Sequence, residues 1–452
     1  MPLQDARLHI RNIIITGNHK TKIYIIEREM QVKKGDSIIA GNLNTELKES
    51  KEHIYNTNLF TEVTVKPVII NAFDIDIDVE VKERWYVFPV PQFQLIDRNL
   101  NDWIKTFDAS LTRVNYGIKF VHYNFSGRRD PLRIYFLNGY SRNFSFSYTA
   151  PYSNRALTEG FTVGMGYTQN REISYKTGYN NKVLFYPSDS AVKAKGDFVR
   201  NNFNVAASYS TRKGFHKSRY YAANYTFLKI DDSLITAKYN PNYFNNNSSS
   251  NGFIDLSYTF QYLDLDKVAY PLSGFSGSYT VSKRGFGITG GVNVFSLLGG
   301  VSRYDDLGRK WYSSIHLSGN IKLPFRQAYI NQRSLGYGEN YLRGMEYYVV
   351  DGVAEALAKS TIKYKLLSFK IYLPFKIKSI PDIPITIFAK SFADFGYVYN
   401  KNEFKASLNN KLLYTGGFGI DILSLYDLNL RFEYSFNQLG EKGLFLHTQG
   451  GF

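Results

Sequence analysis

Residues 285–290, Gly-Phe-Gly-Ile-Thr-Gly, carry the glycine spacing that cradles a dinucleotide pyrophosphate. That chemistry needs a helix directly after the glycines, and here the tract sits between strand-like segments, so it reads as turn glycines. Asp74, Asp76 and Asp78 put three carboxylates on one side of an alternating segment. A calcium loop wants a turn glycine and a distal glutamate as well, so the row reads as a solvated face. The seven histidines lack helical i, i+4 pairing, and no HExxH, GxSxG or phosphate-loop lysine motif occurs. The absence of cysteine excludes disulfide frameworks and thiolate metal sites. No catalytic constellation emerges, and a non-enzymatic protein without cofactor or metal is expected. What remains is charge pairing and recognition, and the tract at 325–352, FRQAYINQRSLGYGENYLRGMEYYVVDG, is where it concentrates. It is too irregular for a strand and too rich in aromatics and arginine for an idle linker, and long loops are usually functional. Taken alone, Arg343 in its Leu-Arg-Gly tripeptide would be an ordinary surface loop residue.

The elements that must position such a tract are strands. In residues 426–437, YDLNLRFEYSFN, apolar Tyr426, Leu428, Leu430, Phe432, Tyr434 and Phe436 alternate with polar or charged residues without a miss. Period two is a strand with two unlike faces. One side meets something oily and the other meets water, and about ten tilted residues cross the hydrocarbon of a bilayer. Residues 144–149, 254–261 and 275–282 repeat the pattern. Aromatic residues make up 16% of the chain, with 37 Tyr and 34 Phe, which suits many strands joined by turns. No apolar run approaches the roughly 18 residues of a membrane helix. Any membrane contact must therefore be made by strands, and a closed barrel follows because an open sheet edge cannot survive in lipid. Alternating strands also build soluble sandwiches and propellers, so a soluble binding protein is the alternative on periodicity alone.

In chain order, residues 8–16 read as a strand ending at the Gly17-Asn18 turn. Thr21 is a candidate cap for a short helix reaching Met30, and residues 42–56 space apolar side chains as a second helix. Two strands, 60–70 and 73–81, follow around Asn71-Ala72. From Trp85 onward the texture changes, with a junction near residues 97–103 and then alternating segments separated by polar breaks at 187–197, 240–252 and 304–310. These breaks read as loops or turns. The 367 residues beyond Trp85, at about 23 per strand and connection, make roughly sixteen strands, an even number as bacterial barrels require. The expected division is 1–84 for the α+β unit and 85–452 for the barrel. Residues 1–83 hold 11 Lys and Arg against 13 Asp and Glu, leaving 44 against 26, so the net +16 belongs to the strand-rich part. Nucleic acid is not expected as a partner, since no nucleic-acid fold signature occurs. Lipid phosphates or a basic water-filled lumen fit the excess better. The start, MPLQDARLHI, has no charged segment followed by an apolar core, so an exported protein would be a mature or trimmed form.

The N-terminal unit resembles a POTRA domain. The residues that carry the resemblance are Ile15-Thr16-Gly17-Asn18, the Gly35-Asp36 turn, Asn58-Leu59-Phe60 with Val63 and Val65, and Val79-Glu80-Val81-Lys82-Glu83 before Arg84-Trp85. POTRA domains are the periplasmic modules of the BamA-like and two-partner-secretion outer-membrane barrels. Leu342-Arg343-Gly344, followed by Met345-Glu346-Tyr347, resembles the aliphatic-Arg-Gly-aromatic tip of the sixth outer loop in that superfamily, with Met345 where Phe or Tyr is usual. Phe392-Ala393-Asp394-Phe395-Gly396 matches the superfamily's aromatic-x-Asp-x-Gly motif. Gly416-Gly417-Phe418-Gly419-Ile420-Asp421 resembles the opening of the next strand. The terminal run with Leu444, Leu446, Thr448 and Phe452 on one face resembles the last-strand insertion signal.

The resemblance implies that the loop folds inward and that Arg343 docks on the wall carrying Phe392, Asp394 and Gly396. A guanidinium inside a barrel needs such an acceptor and can meet it through two parallel hydrogen bonds. It also implies a bacterial outer-membrane location with the N-terminal domain in the periplasm. The implied role is insertion or translocation of unfolded or secreted polypeptide clients in outer-membrane lipid, with accessory periplasmic or lipoprotein subunits and a seam between the first and last strands. The alternatives are a dedicated secretion pore for one partner protein or lipoprotein, and a passive or lipid-handling barrel.

Overall fold

In the computed structural model, residues 6–95, 110–187, 197–286, 292–377, 380–401 and 406–449 are described. The junction expected near 97–103, most of the break at 187–197, much of the glycine tract at 285–290 and the terminal Phe452 lie outside them. The chain opens with β1 (Arg7–Thr16), α1 (Ile23–Glu27), β2 (Ser37–Ile39), α2 (Leu43–Tyr55), β3 (Phe60–Ile69) and β4 (Asp74–Glu83). The four strands form one sheet in the order β2-β1-β4-β3, with β1 parallel to β4. Alternation on β4 turns Ile75, Ile77, Val79 and Val81 inward onto Ile25, Ile26 and Ile54 of the two helices. Asp76 is less solvated than its row suggests, because Arg11 grips it at 3.0 Å. Thr21 does not cap α1. Lys22 holds that position without a side-chain bond, and the Thr21 hydroxyl is buried at 3.0 Å from both the Tyr86 hydroxyl and the Asn124 side-chain amide.

A second sheet has sixteen strands, each antiparallel to its neighbours. It begins with β5 (Val87–Leu95), β6 (Val114–His122), β7 (Leu132–Gly139), β8 (Ser141–Ala150) and β9 (Glu159–Asn170). A side hairpin, β10 (Ile173–Thr177) and β11 (Val183–Tyr186), interrupts before β12 (Arg200–Thr211), β13 (Lys217–Ile230), β14 (Ser250–Leu265), β15 (Gly274–Arg284), β16 (Val294–Gly308) and β17 (Trp311–Leu323). The irregular tract carries only β18 (Arg333–Leu335) and β19 (Val350–Asp351). The sheet then resumes with β20 (Ala354–Ile377), β21 (Ile380–Tyr399), β22 (Leu412–Leu423), β23 (Asn429–Asn437) and β24 (Lys442–Gln449).

The wall is inside out relative to a soluble protein. On β9, Phe161, Val163, Met165 and Tyr167 are exposed, whereas on β23 the polar Asn429, Glu433 and Ser435 are buried. Apolar rows outward and polar rows inward are what a lipid-facing barrel demands.

Three strand boundaries depart from the sequence pattern. The ladder at 426–437 starts only at Asn429, because Tyr426 and Asp427 take left-handed backbone at φ 57° and 61° in a turn. Residues 304–308 are strand, since Arg309 and Lys310, both with positive φ, close β16 onto β17 in a two-residue turn. Ser250–Gly252 likewise belong to β14.

The α+β unit sits across the short turns at one end of the wall. Asn56 donates to Leu265 O at 3.0 Å at the end of β14, Arg28 donates to Leu157 O at 2.8 Å beyond β8, and Arg84 donates to Asp427 at 2.8 Å between β22 and β23. One small unit touching both flanks and the middle of the sheet requires the sheet to curl round on itself. At the centre of this junction Glu29, 1% exposed, receives both arms of Arg212 at 2.6 and 2.9 Å and the Tyr152 hydroxyl at 2.8 Å. Burial alone would raise the Glu29 pKa, but the Arg212 charge and hydrogen bonds, with Arg129 and Arg28, outweigh it and hold the carboxyl at about 2.

Candidate functional site

Between β17 and β20 the chain folds into the enclosed space and back, and its tip lies against β21. Gly344 makes the turn possible. Its φ is +94°, and a Cβ there would stand 2.8 Å from the Ser435 Cβ. That turn aims Arg343 at the wall, where Nε donates to Asp394 Oδ2 at 2.9 Å, Nη2 donates to Oδ1, and the backbone N–H donates to Oδ2 at 3.0 Å. Nη1 reaches Thr361 Oγ1 at 2.9 Å, Nη2 also reaches Ser360 O at 3.1 Å, and the guanidinium lies 4.1 Å from the centre of the Phe392 ring. Asp394 is 0% exposed. The carboxylate thus has its charge matched and both oxygens occupied, as a buried charge requires.

Gly396 supplies the room. A Cβ there would come within 2.9 Å of Leu342 Cδ1 and 3.0 Å of Leu335 Cδ1. Leu342 and Met345 are both buried in a cluster with Leu335, Val350, Leu357 and Val398. The flexible thioether fills the place where the motif's aromatic would stand. Tyr347 stands apart from this tip. It is 72% exposed, with its ring 5.6 Å from that of Phe445 on β24. Leu444 and Leu446 of the last strand are 69% and 59% exposed, on the outward row.

A second charged cluster runs from the same loop along the inner wall, and the sequence reading missed its hub. Lys390 on β21 lies 2.5 Å from Asp421 on β22 and 2.6 Å from Glu433 on β23. Tyr270 donates to Asp421 at 2.7 Å. His447 on β24 lies 3.3 Å from Glu433 and 3.2 Å from Glu346 of the loop, with the Tyr341 ring stacked on it. The signal was available, since Asp421, Glu433 and His447 all occupy inward rows. What alternation does not say is which charges in neighbouring rows meet.

Further clasps hold the loop. Asn437 on β23 donates to Gly344 O at 2.9 Å, and Tyr348 donates to Glu441 at 2.6 Å. Asn181, in the β10–β11 turn, exchanges two 2.9 Å bonds with Val349. None of these groups is arranged as nucleophile and base. The arrangement is a brace that ties an inserted loop to β20, β21, β23 and β24.

A small α+β unit docked under a sixteen-stranded wall with an inserted Arg-Gly loop defines a POTRA-and-barrel protein of the BamA-like fold. Residues 8–84 match the POTRA family, described as a surface antigen variable number repeat. The chain is similar to the solved structure of BamA from Haemophilus ducreyi lacking POTRA domains 1–3, with a TM-score of 0.54 at 16% identity, over 98% of this chain and 84% of that one. It is similar to CdiB from Escherichia coli with a TM-score of 0.54 at 12% identity, over 98% of this chain and 75% of that one. No curated protein matches it in sequence. At these identities the likeness is one of fold.

Proposed function

We propose that this chain is an outer-membrane protein that inserts or translocates polypeptides and catalyses no covalent chemistry. Residues 1–84 form its periplasmic domain and residues 85–452 its barrel. Unfolded or secreted polypeptides are the clients, outer-membrane lipid is the surroundings, and accessory periplasmic or lipoprotein subunits are the partners sought. The observation that carries this reading is the loop tip pinned by Arg343 to a fully buried Asp394 inside a lipid-facing wall. A large loop folded through the interior and braced by two buried charge clusters narrows the space for free diffusion. In this reading Leu342, Arg343, Gly344, Phe392, Asp394 and Gly396 set the position of the loop, and Leu444 and Leu446 mark the last strand for insertion.

The test is depletion of the protein followed by quantification of the outer-membrane and secreted proteomes, with photo-crosslinking from β3 and from the seam strands. Loss of a set of clients, together with their capture in the crosslinks, supports the reading. Unchanged proteomes combined with a constant ungated conductance in planar bilayers would assign a passive barrel instead. Depletion that removes one secreted protein and leaves other barrels at normal levels would identify a dedicated secretion pore.

A further inference from the structure

At the end of the wall opposite the α+β unit, four connections pack on one another. They are the β10–β11 hairpin, residues 231–249 between β13 and β14, residues 324–332 at the start of the inserted tract, and the described parts of the β21–β22 connection. The first three share an apolar core, in which Leu234, Tyr243 and Phe244 meet Tyr329 and, at the base of the hairpin, Ile173. Backbone bonds cross between connections as well. Tyr329 N–H donates to Asn242 O at 3.2 Å, and Ser407 N–H donates to Tyr179 O at 2.8 Å. The cavity between them, about 380 Å³, is therefore held by packed and bonded walls, and its volume is that of a small-molecule site.

The lining of this cavity is dominated by side-chain amides, seven of them among the described residues. Several are fixed by bonds of their own. Asn240 donates to Tyr175 O at 2.6 Å, and Asn400 and Asn409 donate to Asp351 O at 2.9 and 3.2 Å. Asn409 Oδ1 is shielded and accepts from nothing in the protein. An amide is donor and acceptor at once, so a wall of amides matches a ligand whose polar groups are also both, and that group is the hydroxyl. An apolar ligand would find little to touch, because the one aromatic in the lining, Tyr329, is 7% exposed. Charge adds a second criterion. Lys176, Arg326 and Lys401 line the cavity against one carboxylate, Asp351, which is buried and accepts from the Tyr337 and Thr177 hydroxyls. The balance presented to a ligand is positive.

We propose that this cavity binds an acidic saccharide, its hydroxyls held by the amides and its carboxylate or phosphate by Arg326 and Lys401. In the orientation proposed above the cavity opens outside the cell, where such a group is carried either on a membrane lipid or on a free saccharide. The chemistry is the same for both sources. Binding itself depends neither on that orientation nor on the handling of polypeptides.

The experiment uses the full chain in phospholipid nanodiscs, with binding read by saturation-transfer NMR. The probes are glucuronate and galacturonate, their uncharged parents glucose and galactose, inorganic phosphate, and a triglutamate peptide. The uronates should bind several-fold more tightly than the parent hexoses and resist displacement by equimolar phosphate. Arg326→Gln with Lys401→Gln, both at exposed positions, should lower the preference for uronate over hexose several-fold. Asn242→Leu, also exposed, should weaken uronate and hexose alike. Heat-modifiable migration should be unchanged in each variant, and should one fail to fold, the probe series on the wild type still decides. Absence of uronate binding at millimolar concentration, or unchanged binding in both variants, overturns the site. Equal displacement by phosphate reduces it to an anion site, and equal binding of the peptide assigns these loops to polypeptide contact; either result overturns the saccharide. Loss of the uronate signal in nanodiscs that contain lipopolysaccharide supports the lipid-linked source, whereas an unchanged signal supports the free one.

Discussion

Glu29 offers the most quantitative test of how the POTRA-like unit is held to the barrel. Released from the junction, its carboxyl would titrate near 4.5, and docked it is held at about 2. The part of that depression supplied by Arg212 and Arg129 across the junction corresponds to roughly 3 kcal/mol favouring the docked state. Because the docked pKa is the lower one, that contribution is complete above about pH 4.5 and is lost as pH falls from 4.5 towards 2. Glu29→Gln removes the charge permanently and leaves Arg212 and Arg28 facing each other in a buried junction. Breaking one side of such a buried pair costs about 3–5 kcal/mol. Docking can be read as the distance between spin labels on α2 and on the turn between β14 and β15. The wild type should undock cooperatively between pH 4.5 and 2. E29Q should already be partly undocked at pH 7, with a flatter profile over the acid window. Other carboxylates titrate in the same window, so the comparison between the two proteins carries the test. Superimposable profiles would refute the Glu29–Arg212 latch.

Arg343→Ala strands the fully buried Asp394 and should lower barrel stability by about 3–5 kcal/mol, seen as an earlier urea midpoint in vesicles and a loss of heat-modifiable migration. Arg343→Lys should recover part of this only, because an ammonium cannot make the paired bonds. Gly344→Ala forces a Cβ into left-handed backbone and against Ser435, and a cost of about 1–3 kcal/mol should appear as protease sensitivity of residues 337–349 before the wall itself melts. Tyr270→Phe removes the donor to Asp421 and should cost about 1–3 kcal/mol in the same urea assay, while Tyr347→Phe, at an exposed position, should leave the midpoint unchanged.

Local rules carried the sequence reading as far as local rules reach. Alternation on 254–261 identified β14 and its faces because a half-oily wall imposes period two on every strand, and the helix at 42–56 followed from its spacing. Where side chains answer to distant partners, the same rules misled. Tyr426 and Asp427 keep the alternation of β23 yet form a turn, because Arg84 and Trp85, more than 300 positions earlier, bind them there. Thr21 has the residue type of a helix cap, but Tyr86 and Asn124 take its hydroxyl. Arg309 and Lys310 turned a chain segment that looked like a polar loop into a tight hairpin, with positive φ on residues that seldom adopt it. The partners of Lys390 and His447 are hidden for a simpler reason, since pairing between rows depends on register and register is not written in any one strand.

The brace is distributed unevenly, and that distribution has a mechanical consequence. Arg343 is tied to β21, Gly344 to β23, Glu346 to β24 and Tyr348 to the β23–β24 turn. The bond to Asp394 is the most buried of these, and the 3.2 Å approach of Glu346 to His447 lies on the outermost strand. Displacement of β24 would therefore disturb the His447–Glu346 contact first, and only displacement of β21 would release Arg343. Stepwise release needs weak links near the moving edge and a strong one farther in. The network has that gradient, running from the partly exposed His447 to Asp394 with no exposed surface at all.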